Sequence, residues 1–303
     1  MSFYKKAYLN GKIVPIEEAG VLVSSPTFRY GAAVFEGLGA YWNANQNKKY
    51  VLSLEEHCWR LLESMKMVRF EHSYTIETIK SSVLELLKAE NHQEDVHILQ
   101  SAFLEGEGGM TSKSPTGLSV IARGRTRSSG FEDGFSCKIS SWTRIADNSM
   151  PPRVKCVANY QNGRLAQLEA STDGYDYAIL LNQRGKVAEG PGACVMVIRN
   201  GTCITPPVTG DILESITRKC LITILEKEMN IPVVEREVDR TELYIADEVL
   251  LCGTLYEVTP VVEIDRLPVR DRKPGKITRA LQQRYLALAR GEDKAYPEWR
   301  TEV

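Results

Sequence analysis

The chain has 303 residues, with 38 Lys plus Arg against 39 Asp plus Glu and a formal net charge of −1. That balance gives no basic field to attract nucleic acid or an anionic membrane, so the expected partner is a small molecule or another copy of the chain. No apolar run reaches the ~18 residues of a membrane helix, and "MSFYKKAYLNGKIV" lacks the apolar core of a signal peptide, so a cytoplasmic protein is expected.

In chain order, "KAYLNGKIVP" places Asn-Gly between two short apolar runs, the signal of a hairpin. "SLEEHCWRLLESMKMV" predicts a helix from Ser53, with Glu56 at capping-box spacing and Leu54, Trp59, Leu61, Leu62 and Met65 recurring at helical intervals. "TIETIKSSVLELLKAE" repeats that design from Thr75, and "VHILQSAFLE" and "LSVIARG" read as strands around the glycine-rich "GEGGMTSKSPTG". The polar run "GRTRSSGFEDG" is the one credible linker. Beyond it "SCKISSWTR", "RVKCVANY", "YAILLN", "CVMVIRNG", "EVLLCG" and "VTPVVEID" read as strands, interrupted by one long helix, "DILESITRKCLITILEKEMN", with Leu213, Ile216, Cys220, Leu221, Ile224 and Leu225 on one face. The fold class is mixed α/β in two lobes: a small one over 1–122, a loop over 123–134 and a larger one over 135–303.

The seven cysteines are odd in number, scattered and never in CxxC spacing, which argues for reduced thiols and against a zinc site. Four histidines, none paired at ligand spacing, leave no metal centre to propose.

Lys155 stands inside "PPRVKCVANYQNGRLA", between Val154 and Cys156, with Tyr160 following where the run breaks into a turn. A strand lysine is ordinarily a solvated surface residue. Enclosed by apolar groups, a lysine has its ammonium form disfavoured and becomes a nucleophile and base, as an aldehyde cofactor such as pyridoxal phosphate requires. Such a cofactor also needs a carboxylate at its ring nitrogen and an anion pocket for its phosphate. Glu189, in "GKVAEGPGACVMV", is either an ordinary turn glutamate or that carboxylate. The opening of the long helix offers the amides of Ile216 and Thr217 and the Thr217 hydroxyl, "CGTLYEVTP" offers Gly253 and Thr254, and Arg60 on the first helix could add a guanidinium fork.

In this order and spacing the pieces resemble the class IV (fold type IV) pyridoxal-phosphate aminotransferases, and within them the branched-chain amino acid aminotransferases. The carrying motifs are "RYGAAVFEGL" (29–38), "HCWRLLESMKM" (57–67), "PPRVKCVANYQNGRLAQLEA" (151–170), "GYDYAILLNQRGKVAEGPGA" (174–193), "GDILESITR" (210–218) and "ADEVLLCGTLYEVTPV" (246–261). The resemblance implies a two-lobed fold type IV enzyme with a small α/β lobe and a larger mixed-sheet, barrel-like lobe. It implies Lys155 as the Schiff-base lysine and proton shuttle, Glu189 at the pyridine nitrogen, Tyr160 at the ring phenolate oxygen, and Arg60, Ile216, Thr217 and Thr254 at the phosphate. Tyr30, Phe35 and Gly37 match substrate-pocket positions, the backbone at Leu255 would meet the substrate carboxylate, and a homodimer is implied. The expected activity is transamination between a small or branched-chain amino acid or amine and a 2-oxo acid. D-amino-acid and (R)-amine transaminases, the lyase that makes 4-aminobenzoate and a non-catalytic pyridoxal-phosphate binder are the alternatives.

The chain departs from the branched-chain pattern where carboxylates are bound. The "FEG" motif there usually continues to an arginine, where this chain has Gly39; a usual Tyr-x-Arg pair aligns with Ile98 and Gln100; and a usual Glu-Asn after the turn is Ala193-Cys194. Glutamine in place of arginine loses the charge and the planar fork, so glutamate and 2-oxoglutarate are expected to bind less well unless Arg123, Arg125, Arg127 or Lys113 supplies another cation.

Overall fold

A computed structural model describes residues 3–127 and 130–303; Ser128 and Ser129 of the expected linker, with Met1 and Ser2, lie outside the described residues. The chain divides into two compact units. The first comprises Met1–Thr126, Val154–Ala158 and Ala287–Val303, and the second Arg127–Arg153 and Asn159–Leu286. The division between Thr126 and Arg127 falls inside the expected 123–134 loop. The segments 154–158 and 287–303, by contrast, group with the first unit rather than with the span 135–303.

In the first unit the hairpin β1 (Lys6–Leu9) and β2 (Lys12–Pro15) turns at Asn10-Gly11, both with positive φ, as Asn-Gly predicts. A short helix, α1 (Pro26–Tyr30), follows, capped by the Ser25 side chain. Then come β3 (Ala33–Asn43), β4 (Lys48–Leu52), helices α2 (Leu54–Met67) and α3 (Ile76–Glu90), and strands β5 (Val96–Leu104) and β6 (Thr116–Gly124). With the last strand, β15 (Arg300–Glu302), they form a seven-stranded sheet in the order β15-β4-β3-β5-β6-β1-β2.

One face of this sheet, with Val34, Leu38, Ala40, Val96, Ile98, Ala102, Leu118, Val120 and Ala122, is buried against Leu54, Cys58, Leu61 and Met65 of α2 and Ile79, Val83, Leu86 and Leu87 of α3. The stripe on α2 starts at Leu54 and recurs at spacings of four, three and four. Trp59, counted with it from the sequence, lies off the stripe and is 52% exposed. Thr75 caps α3 by accepting from the Thr78 amide, as predicted. Ser53 adopts a left-handed conformation whose side chain makes no capping bond, so the expected capping box on α2 does not form.

The second unit begins with the short helix α4 (Gly130–Asp133) and β7 (Phe135–Thr143). The expected strand "RVKCVANY" is not one. It makes a single bridge, Val34 to Cys156, then a 3-10 turn over Val157–Asn159, and runs into a helix, α5 (Tyr160–Thr172). Strands β8 (Tyr177–Leu181), β9 (Cys194–Arg199) and β10 (Thr202–Thr205) follow, then α6 (Ile216–Lys227), β11 (Val233–Glu235), β12 (Glu248–Gly253), β13 (Glu257–Ile264), β14 (Leu267–Pro268) and helix α7 (Lys276–Ala289).

The strands form one mixed sheet in the order β11-β10-β9-β12-β13-β7-β8, with β14 on β13. Alternation decides its faces: Tyr177 and Ile179 join one apolar core with Val195, Val197, Val249 and Leu251, while Ala178 and Leu180 pack on Ala166 and Ala170 of α5. Helix α6 starts at Ile216, capped by Ser215, so Leu213 precedes it instead of lying on its apolar face. Helix α7 takes its first amides to a distant carboxylate: Glu248 accepts from Ile277 N at 3.0 Å and Thr278 N at 2.7 Å. Among the described residues no helix is long and apolar enough to cross a membrane.

Leu61→Ala leaves a cavity where α2 meets β3 and is expected to cost about 2–5 kcal/mol in the stability of the first unit. A substitution at exposed Trp59 should stay within about 0.5 kcal/mol, both measured by chemical denaturation.

Candidate active site

Lys155 is held through its own peptide. The Phe35 amide on β3 donates to the Lys155 carbonyl at 2.9 Å, and the Lys155 amide donates a long bond, 3.4 Å, to Ser64 Oγ on α2. Its Nζ lies 4.9 Å from the centre of the Phe35 ring, an apolar and weakly electron-rich neighbour for an amine. Tyr30 ends α1, 38% exposed, with the Arg29 guanidinium 4.9 Å from its ring centre.

Strand alternation sorts the rest of the first unit. Glu36, between Phe35 and Gly37, points to the helix side and is fully buried. Its Oε1 accepts from Arg60 Nε at 2.7 Å, and its Oε2 accepts from Arg60 Nη2 and from His57 Nδ1, both at 2.6 Å. Burial alone would raise the Glu36 carboxyl, but Arg60 and His57 outweigh it and hold it at about 2, so it stays ionised. Burial, with the charges of Arg60 and Lys155, lowers His57 despite the Glu36 carboxylate, so the imidazole is neutral and donates through Nδ1–H.

On the opposite face Phe35 pairs with Ser101, Gly37 with Leu99 and Gly39 with His97. Ile98 and Gln100, expected to line the substrate pocket, therefore face the helices. Ile98 is in the apolar core, and the Gln100 amide donates to the Ile79 carbonyl at 2.8 Å and Ser82 Oγ at 2.9 Å. A one-residue error in alignment moves every side chain of a strand to the other face, and His97 and Leu99 are the residues beside Phe35, Gly37 and Gly39.

His97 is kept neutral: burial first, then Arg125, Arg123 and Lys155, hold it down to about 3. A Cβ at Gly39 would lie 2.9 Å from Arg125 Nη2 and 2.8 Å from the Tyr41 ring, so the guanidinium of Arg125 occupies the space a longer side chain at 39 would take. Of the other candidate cations, Arg127 is bidentate on Glu257 at 2.7 and 2.9 Å, Lys113 faces Glu71 at 3.7 Å in the open, and Arg123 lies over the Phe3 ring.

In the second unit Glu189 sits at the neck of a tight loop: it bridges Cys194, and the Gly190 amide donates to the Ala193 carbonyl at 2.7 Å. A side chain at Gly190 would overlap the buried Tyr177 ring, whose hydroxyl accepts from the Gly192 amide at 2.8 Å. Both carboxylate oxygens of Glu189 are engaged, Oε1 by Arg144 Nε at 2.8 Å and Oε2 by the Leu213 amide at 3.2 Å. Arg144 is steadied by Asn162 Oδ1 at 3.3 Å, and Asn162 in turn donates to the Thr143 carbonyl at 2.9 Å. Arg144 was not legible from the sequence, because its partner stands 45 residues away.

Tyr160 is the first residue of α5 and partly buried. Ile216 and Thr217 are the first two residues of α6, both buried, at positions whose amides have no partner within the helix. Ser215 spends its hydroxyl on the Arg218 amide, and Arg218 turns into structure, bonding Thr205, Pro206 and Glu235. Buried Gly253 and partly buried Thr254 form the turn between β12 and β13, followed by Leu255 at 43% exposure. The second unit thus holds Tyr160, Glu189, Ile216, Thr217, Thr254 and Leu255, and the first holds Lys155, Arg60, Tyr30, Phe35 and Gly37. Chemically these residues provide an amine, an oriented carboxylate, a phenol, a helix N-terminus and a small-residue turn, a donor set that fits an aldehyde with a basic ring nitrogen and a phosphate.

Comparison with known proteins agrees with that chemistry. The model of the family described as "Amino-transferase class IV" matches residues 33–264. The chain is 42% identical over 300 residues to the probable branched-chain-amino-acid aminotransferase of Aquifex aeolicus, covering 98% of this chain and 96% of that one. The structure of the branched-chain amino acid aminotransferase from Thermobaculum terrenum in its PLP form superposes with a TM-score of 0.93 at 39% identity, covering 100% of this chain and 99% of that one. The branched-chain aminotransferase of Thermoproteus uzoniensis with norvaline gives 0.94 at 35%, covering 99% of each. The fold and the family expected from the motifs are therefore correct: the chain belongs to the class IV aminotransferases, enzymes that move an amino group from a donor to a 2-oxo acid.

Proposed function

We propose that this enzyme uses pyridoxal 5′-phosphate to transfer the amino group of a branched-chain or similar aliphatic amino acid to a 2-oxo acid. The observation that carries the proposal is Glu189, a buried carboxylate oriented through both oxygens, in a chain whose lysine is fixed by its peptide. The names of the Aquifex and Thermobaculum relatives support the substrate class and the cofactor, and the norvaline held by the Thermoproteus enzyme supports an aliphatic side chain.

When bound, the cofactor supplies an aldehyde that condenses with amines and a pyridine ring that accepts the electron pair released at the substrate Cα. Lys155 would hold the cofactor through its amine, and its Nζ is the base that would take the proton from the substrate Cα. Glu189 would hold the cofactor at its ring nitrogen. Arg144 and the Leu213 amide fix the carboxylate for that task. The Tyr160 hydroxyl would meet the ring oxygen, and Arg60, the amides of Ile216 and Thr217, the Thr217 hydroxyl and Thr254 would hold the phosphate.

Phe35, Gly37, His97 and Leu99 form the apolar wall that receives the substrate side chain, with Tyr30 at the end of α1. The backbone at Leu255 would meet the substrate carboxylate, and Arg125 places a guanidinium in the space beside Gly39. A homodimer in the cytoplasm completes the proposal, supported by seven free cysteines and near-neutral charge.

Lys155→Ala is expected to lower transamination of L-leucine with 2-oxoglutarate by at least about 10²–10⁴-fold, the share of proton transfer alone. Retention of more than a tenth of the wild-type rate would reject the role of the lysine.

The strand register gives a second outcome. Leu99→Arg should change KM for L-glutamate several-fold, whereas Gln100→Leu should leave KM unchanged and lower only the melting temperature, measured by steady-state kinetics and calorimetry. A KM effect at Gln100 with none at Leu99 would overturn the assignment of the faces.

A further inference from the structure

Strands β9 and β12 are antiparallel neighbours whose pairing ends at Cys194 and Cys252. The loop 190–193 that leads into β9 and the turn 254–256 that follows β12 therefore stand side by side at one end of the sheet. The first has Glu189 at its neck and the second begins with Thr254, so two parts of the cofactor site assigned above leave the sheet at the same edge.

The loop hangs on β8. The Leu180 amide donates to the Glu189 carbonyl at 2.9 Å, and further along the loop the Gly192 amide donates to the Tyr177 hydroxyl oxygen at 2.8 Å. Burial, with Tyr256 beside it, pushes the Tyr177 hydroxyl well above the ordinary phenol range, so it keeps its proton.

The turn reaches the same ring. Tyr256 packs edge-on against Tyr177, with ring centres 4.8 Å apart and planes at 61°, and Phe135 completes the group at 5.9 Å from Tyr177 and 6.2 Å from Tyr256. The backbones meet closely as well: a Cβ at Gly253 would lie 3.1 Å from the Gly192 carbonyl oxygen, and one at Gly192 would lie 3.8 Å from both the Tyr256 ring and the Tyr177 hydroxyl. The Thr259 hydroxyl donates to the Tyr256 carbonyl at 2.7 Å and so fixes the peptide that carries the ring.

We propose that Tyr256 is a positioning residue for Glu189: seated on Tyr177, its ring holds the loop 190–193 in a fixed relation to the turn of Thr254, so that the carboxylate stands where a ring nitrogen arrives once the phosphate is seated. This role rests on the assignment of Glu189 and Thr254 made above. Tyr256 acts through the packing of its ring and not through its hydroxyl.

The test measures the affinity for pyridoxal 5′-phosphate, by visible absorbance, in wild type, Tyr256→Phe, Tyr256→Ala, Glu189→Gln and the double variant Tyr256→Ala with Glu189→Gln. Tyr256→Ala is expected to weaken binding about 10-fold in the wild-type chain but no more than about twofold where Glu189 is already glutamine, because a residue that acts through the carboxylate has little left to act on. Tyr256→Phe keeps the ring and should stay within about twofold of wild type. Hydrogen exchange of the Tyr256→Ala holoenzyme should accelerate together in the segments 190–193 and 254–256.

If Glu189→Gln alone changes neither the affinity nor the visible band, the assignment of Glu189 fails and the positioning role with it. If Glu189→Gln weakens binding while Tyr256→Ala has no effect, or has the same effect in both backgrounds, the ring is packing only: the positioning role is wrong and the Glu189 assignment stands. Should Tyr256→Ala not fold, Tyr256→Leu, with its circular dichroism matched to wild type, carries the same comparison.

Discussion

The first unit depends on the alternation along β3. Val34, Glu36 and Leu38 face the helices, and Phe35, Gly37 and Gly39 face away, so every second residue is assigned to packing and the others to the surface that carries Lys155. The bridge from Val34 to Cys156 and the bond from the Phe35 amide to the Lys155 carbonyl attach the lysine to that strand, although it stands 120 residues further along the chain. A buried carboxylate at position 36 is costly in isolation; three donors from α2 offset the cost and fasten helix to strand.

The second unit handles its own buried carboxylate by the same physics. Glu189 is enclosed by a loop too tight for a side chain at Gly190 and is met by a guanidinium and an amide, one on each oxygen. A carboxylate held in this way has no freedom to reorient, which a partner to a ring nitrogen requires. Arg144 is as much part of that group as the glutamate.

Much of this was legible because the signals were local. Asn10-Gly11 named its hairpin, Thr75 its helix cap, and the order of Lys155, Glu189, Thr217 and Thr254 pointed to one family. What escaped was settled by partners distant in sequence. Helix α5 has Asn, Gly, Ser and Thr along it and closes on Pro191 through Gly163, so packing outweighs propensity. Helix α7 is started by Glu248, about 30 residues earlier. Periodicity could identify β5 as a strand but not which of its faces met β3; that is fixed by pairing, and Ile98 and Gln100 were placed one residue out of step as a result. Ser53 had the spacing of a capping box, yet its left-handed backbone leaves its side chain without that bond.

The central claim is that Lys155, and no other of the chain's lysines, is the amine that joins the cofactor. Borohydride reduction of the enzyme loaded with pyridoxal 5′-phosphate, followed by peptide mass mapping, tests it directly. The account expects one phosphopyridoxyl group per chain, on Lys155 within the segment after Arg153. A stable adduct on any other lysine, with Lys155 unmodified, would contradict it.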